Sequence, residues 1–264
     1  MNKDKSRIIG VMMVSAALWA SLRVVANEPG TKPTIDMPAK DRKTIEEHLG
    51  KGVVGKAVPA DVIDDPLEYG QFKKDAVYPA HMTSGDLKGT IVRHEIKKEI
   101  GPSGREQWRV SAGVADVLVL SLNDRGELVF LSHAEPAKGL NGIYNPPPPL
   151  LVKGMKPGST HEADFAVKIV KMDDPSKVEH EGKLKLKLSY LGTFEITTPA
   201  GKYNAALIRS AYLGKIGPAK IDDAQYRFFA KGVGVVAMVE YKDISAFLVY
   251  NDTLKVGKLL GKHD

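Results

Sequence analysis

The chain has 264 residues and no cysteine, which excludes disulfides, thiolate metal sites and lipidation on a cysteine behind a leader. Its formal charge of +6 falls to +3 once the first 26 residues are set aside, because they hold Lys3, Lys5, Arg7 and Arg23 against Asp4 alone. So even a balance gives no electrostatic argument for nucleic acid, whose phosphates demand concentrated positive charge.

In chain order, Met1 to Arg7 is basic, Ile8 to Leu22 is an apolar core of 15 residues, and Val24-Val25-Ala26 supplies small residues before Asn27. That layout predicts a cleaved secretory leader over residues 1–26 and a periplasmic or secreted product. The rival is an uncleaved membrane anchor, for which the apolar core falls short of the ~20 residues needed to span hydrocarbon. No integral membrane domain is expected after cleavage. Residues 27–60 read as a tether rich in proline, threonine and lysine, followed by a short helix over Asp41 to Leu49, capped by Asp41 and stopped by Gly50. Residues 61–264 read as a β domain. Its pattern begins near Leu87, and Thr90, Val92, His94 and Ile96 share one face of the first strand. The turn Gly101-Pro102-Ser103-Gly104 leads into Glu106 to Val110, a first hairpin. Val114 to Leu122, the turn Asn123 to Gly126, and Leu128 to Ser132 make a second.

Pro146 to Pro149 follow, and four prolines without amide donors do not belong inside a sheet. Residues 144–152 therefore read as a rigid strap joining two halves of the domain. Beyond it, Ala163, Phe165, Val167 and Ile169 point together, and Lys183 to Leu188 alternates lysine with leucine as a half-buried strand does. Phe194 to Thr197, the turn Thr198-Pro199-Ala200-Gly201 and Tyr203 to Tyr212 continue the sheet. Tyr226 to Val236 and Ala246 to Tyr250 close it. Strands separated by turn chemistry, with almost no helical period, predict an all-β fold. The form expected is a curved antiparallel sheet, an open or half barrel or a sandwich, with a short N-terminal helix.

Three segments carry a resemblance. Tyr144 to Ser159 resembles the Tyr-x-Pro-Pro, Leu-Leu, Lys-Pro-Gly linker of a group of uncharacterised bacterial envelope proteins. Phe229 to Val236 is similar to that group's Gly-Val-Gly strand opening, with Lys231 where the group has proline. Thr198 to Tyr203 resembles its Pro-Ala-Gly hairpin turn. The resemblance implies a half-barrel shape like that of lipoprotein-carrier domains, a periplasmic setting and no enzymatic role.

Chemistry is sparse along the chain. Gly232-Val233-Gly234 lacks the further glycines and following helix of a phosphate loop, and reads as a bend. Seven histidines show no metal-ligand spacing, so neither a metal nor a cofactor is expected. Asp64-Asp65, Asp173-Asp174 and Asp222-Asp223 read as solvated turns or strand openings rather than acid/base pairs. Lys183, Lys185 and Lys187 read as a water-facing row, with attraction to anionic lipid headgroups as the functional rival. The expected site is an apolar face built from Tyr226, Phe228, Val233, Val235, Tyr241, Phe247 and His94, able to take a lipid, another apolar ligand or an envelope protein. The reading is thus a non-catalytic exported envelope protein. Its rivals are an enzyme with scattered residues around His94 or His161, and a membrane-tethered structural protein.

Overall fold

The computed structural model describes residues 32–70, 72, 75–112, 116–246 and 250–262, and describes side chains outside 242–254. The leader, its cleavage point and Phe247 lie outside the described residues.

Among the described residues one α-helix, α1 (Ala39–Leu49), precedes fourteen strands. The first seven are β1 (Val54–Val58), β2 (Ala76–Ser84), β3 (Ile91–Ile100), β4 (Glu106–Ala112), β5 (Asp116–Leu122), β6 (Leu128–Glu135) and β7 (Leu140–Asn145). The remainder are β8 (Pro149–Leu151), β9 (Thr160–Lys171), β10 (Val178–Thr198), β11 (Gly201–Ile216), β12 (Ala219–Ala230), β13 (Gly234–Ala246) and β14 (Tyr250–Leu260). Neighbours in the sequence pair in space from β2 to β7 and again from β9 to β14. Pairing of β7 with β9, β9 with β10, and β14 with β2 closes twelve strands into a ring, every pair antiparallel.

The all-β class and the short helix are as expected, but the open or half barrel or sandwich is corrected to a closed barrel. Closure depends on β14 reaching back to β2, where Leu260 lies opposite Ala80 and Lys258 opposite Met82. Ala76 to Ser84 does not announce itself as a strand in the sequence, because Pro79 lacks the amide donor of a ladder residue. Pro79 nonetheless pairs with Arg93 in the sheet.

Other boundaries moved for identifiable reasons. Tyr226 to Val236 is not one strand but two, reversed at residues 231–233, where Gly232 has φ +76°. Lys183 to Leu188 and Phe194 to Thr197 belong to one 21-residue strand, β10, which continues through a bulge between Tyr190 and Gly192. The proline run ends in the three-residue β8, which pairs with β6 alone and lies off the ring, as a residue without an amide donor favours. Gly50 stops α1 as expected, its N–H bonding Glu46 O, but the N-cap is Pro38 and Asp41 is put to another use.

Alternation sorts the side chains into an interior and an exterior. Ile96, Trp108, Leu120, Phe130, Phe165, Leu186, Ile208 and Phe229, contributed by strands all round the ring, form the inner core. One end of the barrel is stoppered by residues 60–72, whose Ala60, Ile63, Tyr69 and Phe72 sit in that core. Trp108 Nε1–H donates to Phe72 O at 2.7 Å, Tyr190 O–H to Asp61 O at 3.0 Å, and Ile63 bridges Met155. Outward positions on β10, β11 and β12 carry lysines: Lys183, Lys185, Lys187, Lys215 and Lys220 are all exposed. Lys183, Lys215 and Lys220 stand opposite one another across three strands. A barrel that meets lipid needs an apolar outer band, and these lysines interrupt any such band on β10, β11 and β12. Among the described residues no helix is long and apolar enough to cross a membrane.

A second, outer core lies under α1. Ile45 and Leu49 of the helix cover Phe194, Ile196, Leu207, Phe228 and Val239 on the outside of the wall. The approach is close because β14 offers Gly257 there. A Cβ at that position would stand 2.4 Å from His48 O and 2.5 Å from Thr83 Oγ1, and Thr83 Oγ1–H already donates to His48 O at 2.7 Å.

Candidate functional site: the lumen

Of the seven residues expected to form one apolar face, the six that are described are divided by the wall. Tyr226 and Phe228 point outward into the second core, with Val233 packed beside it. Tyr241, paired with Ala224, faces the same side and lies under Lys255, whose Nζ is 5.2 Å from its ring centroid. Val235, opposite Phe229, faces the inner core, and His94 is inside as well, stacked on Tyr78 at 5.3 Å. The outward part of that face is already taken by the chain's own helix. Tyr226 O–H donates to Asp41 Oδ1 at 2.6 Å, and Arg209 Nη1 lies 3.6 Å from the same oxygen. Burial and the Asp41 carboxylate push the Tyr226 hydroxyl well above its ordinary value. Asp41 is thus the polar pin of α1 rather than its cap.

Inside, the register brings polar residues to the middle of the lumen. On β12, Arg227, Gln225 and Asp223 succeed one another on the inward face, with Ile208, Ser210 and Tyr212 opposite on β11 and Met238 and Glu240 opposite on β13. Lys258 faces Met238 from β14. His94 and Tyr78 complete the cluster from β3 and β2. Asp222-Asp223 is therefore corrected: Asp223 is no solvated turn residue but is buried, accepting from Gln225 Nε2 at 2.8 Å. The same amide lies 3.4 Å from Glu240 Oε1, while Gln225 Oε1 accepts from Arg227 Nη2. Arg227 also sits 5.7 Å over the ring of Phe130, which reaches in from β6. Sequence reasoning missed this cluster because its members are up to 180 positions apart (Tyr78 to Lys258) and meet only through closure. The alternation of Asp223, Gln225 and Arg227 with Ala224 and Tyr226 was the one local sign of it.

Burial sets the protonation states. It pushes the Tyr78 and Tyr212 hydroxyls up to about 12 and lowers the Lys258 ammonium from its usual range. His94 is pushed down to about 4, first by burial and then by the charge of Lys258, with Asp116 opposing. Folded His94 is therefore neutral at neutral pH. In the unfolded chain it takes a proton near pH 6.5, so this contribution is complete above that value. It is lost as pH falls towards 4, about 3 kcal/mol across the window. His94→Phe is expected to flatten the fall in urea midpoint between about pH 7 and about pH 4.5. A midpoint that moves equally in both proteins would refute this role.

His161 lies elsewhere. It is the second residue of β9, opposite Leu188 at the stoppered end, and does not join His94. A histidine–carboxylate contact does occur near the other end, between His133 Nε2 and Asp116 Oδ1 at 3.0 Å. Both are partly exposed. Among the described residues no group of three or more metal-ligating side chains converges.

The fold and this interior define a closed antiparallel barrel with ionisable groups in its middle. Among solved structures the chain is similar to a candidate lipoprotein of Parabacteroides distasonis, at 14% identity and a TM-score of 0.37, over 74% of this chain and 97% of that one. It is also similar to a candidate exported protein with a YmcC-like fold from Bacteroides fragilis, at 12% identity and a TM-score of 0.37, over 73% and 96% of the two chains. No family model matches the sequence, and no curated protein matches it. Likenesses at this level say nothing of what the chain binds.

Proposed function

We propose that this chain is an exported, non-catalytic barrel of the cell envelope that holds a small ligand within its wall. The observation that carries the reading is the arrangement of the interior. Residues 60–72 fill one end with apolar side chains, and ionisable groups are gathered at mid-depth away from bulk water. Buried charges destabilise a fold unless something compensates them, so a chain that keeps several in its core has a use for them. Of the two histidines the enzymatic rival names, His94 is stacked on Tyr78 among the buried groups and His161 sits at the stoppered end. The export half of the reading rests on the leader-like residues 1–26 and on a wall whose lysines suit water.

Fractionation of the expressing cell tests it. The protein is expected in the periplasmic fraction with an intact mass that begins at Asn27. Recovery from the cytoplasm, or from membranes with Met1 to Ala26 still attached, would overturn the export reading.

A further inference from the structure

Arg227 is the most unusual side chain in the lumen. It is more than nine-tenths buried, yet its Nη1 has no hydrogen-bond partner in the chain. Its other terminal nitrogen is bonded to an uncharged amide, that of Gln225. Gln225 in turn donates from its own Nε2 to Asp223 Oδ2 at 2.8 Å and lies 3.4 Å from Glu240 Oε1. The Gln225 amide thus bonds the guanidinium through its oxygen and the acids through its nitrogen, and Arg227 Nη1 is left without a hydrogen-bond partner in the chain. A buried guanidinium ordinarily finishes in a forked pair with a carboxylate or phosphate, because that geometry satisfies its donors in parallel. The neighbours complete half of an amphipathic site. One step along β12 from Arg227 is Phe229, with Val235 opposite it, and Phe130 lies under the guanidinium. Lys258, which feels the charge of Arg227, adds a second cation. His94 Nε2, also without a partner in the chain, adds a neutral polar group.

We infer that the open edge of Arg227 is the head-group site for a small organic anion, a carboxylate or phosphate on a short apolar body that lies against Phe130. The inference rests on the ligand-holding reading above and names the chemistry of that ligand. Gln225 serves as a positioning residue, turning the guanidinium edge away from Asp223 and Glu240.

Isothermal titration of the purified exported protein with hexanoate, hexyl phosphate and hexanol tests it. Both anions, or one of them, are expected to bind, with hexanol weaker by about tenfold or more. The tighter of the two anions identifies the head group. Arg227→Gln is expected to weaken the anion by at least about tenfold and leave hexanol unchanged. Lys187→Gln, on the outer wall, should change neither. Should Arg227→Gln fail to fold, the comparison of hexanoate and hexyl phosphate with hexanol on the unaltered protein still decides. Absence of binding by both anions, equal binding of hexanol, or anion binding kept within about twofold in a folded Arg227→Gln would overturn the proposal. Anion binding that survives in that variant would still leave a ligand holder, and a barrel that binds neither anion leaves the export test intact, so the two readings fail separately.

Discussion

Replacing Trp108 by alanine is expected to cost about 3–5 kcal/mol, the largest loss available from a single side chain in this barrel. Trp108 is 1% exposed, and its indole joins the wall to the stopper, contacting the Phe72 ring at 5.2 Å and bonding the Phe72 carbonyl. Truncation leaves a large void and also strands that carbonyl without its donor, for about 1 kcal/mol more. Trp108→Phe separates the two effects: it keeps most of the volume and loses the N–H, and is expected to cost about 1–2 kcal/mol. Urea unfolding followed by far-ultraviolet circular dichroism measures both. A Trp108→Ala protein within about 1 kcal/mol of the parent would mean that residues 60–72 are not seated as described.

The second large effect sets Phe228 against Tyr241. Both were read from the sequence as lining one binding face, and a binding face tolerates truncation with little loss of stability. Phe228 is instead 0% exposed, clasped between the wall and α1 by Leu207, Ile45 and Val239. Phe228→Ala is expected to cost about 3–5 kcal/mol. Tyr241 is only partly buried, and its described ring contact is with Lys255, worth about 0.5–1 kcal/mol. Tyr241→Ala should therefore stay within about 1 kcal/mol of the parent. Equal losses at the two positions would contradict the covering of this face by the helix.

These residues also show how far the sequence alone carries. Period-two alternation reported the inward faces of Ala163 to Ile169 and of Leu184 to Leu188 correctly, because one side of each strand meets the core and the other meets water. Turn chemistry located the reversals at Gly101 to Gly104 and at Asn123 to Gly126 for the same local reason. Closure was invisible, since pairing of β14 with β2 is a contact between Leu260 and Ala80 that no window of neighbours contains. The function of each face was equally hidden. Phe228 looks the same to a pattern whether a ligand or the protein's own Ile45 covers it. Asp223 resembled a surface acid because its neighbour Asp222 is one. Burial of alternate polar residues on a strand that points into a ring can be recognised only after the ring is known to exist.

Ring closure has a temporal meaning for synthesis. From β2 to β7 and from β9 to β13 every partner is a near neighbour, so those hairpins can assemble as the polypeptide emerges. The joint between β2 and β14 spans nearly the whole described chain and waits for residues 250–260. Until they arrive, β2 and β13 each present an unpaired border, the kind of edge that recruits strands from other molecules. A ribosome stalled before Tyr250, or a nick that removes β14, would therefore yield an aggregation hazard rather than a smaller version of the same molecule.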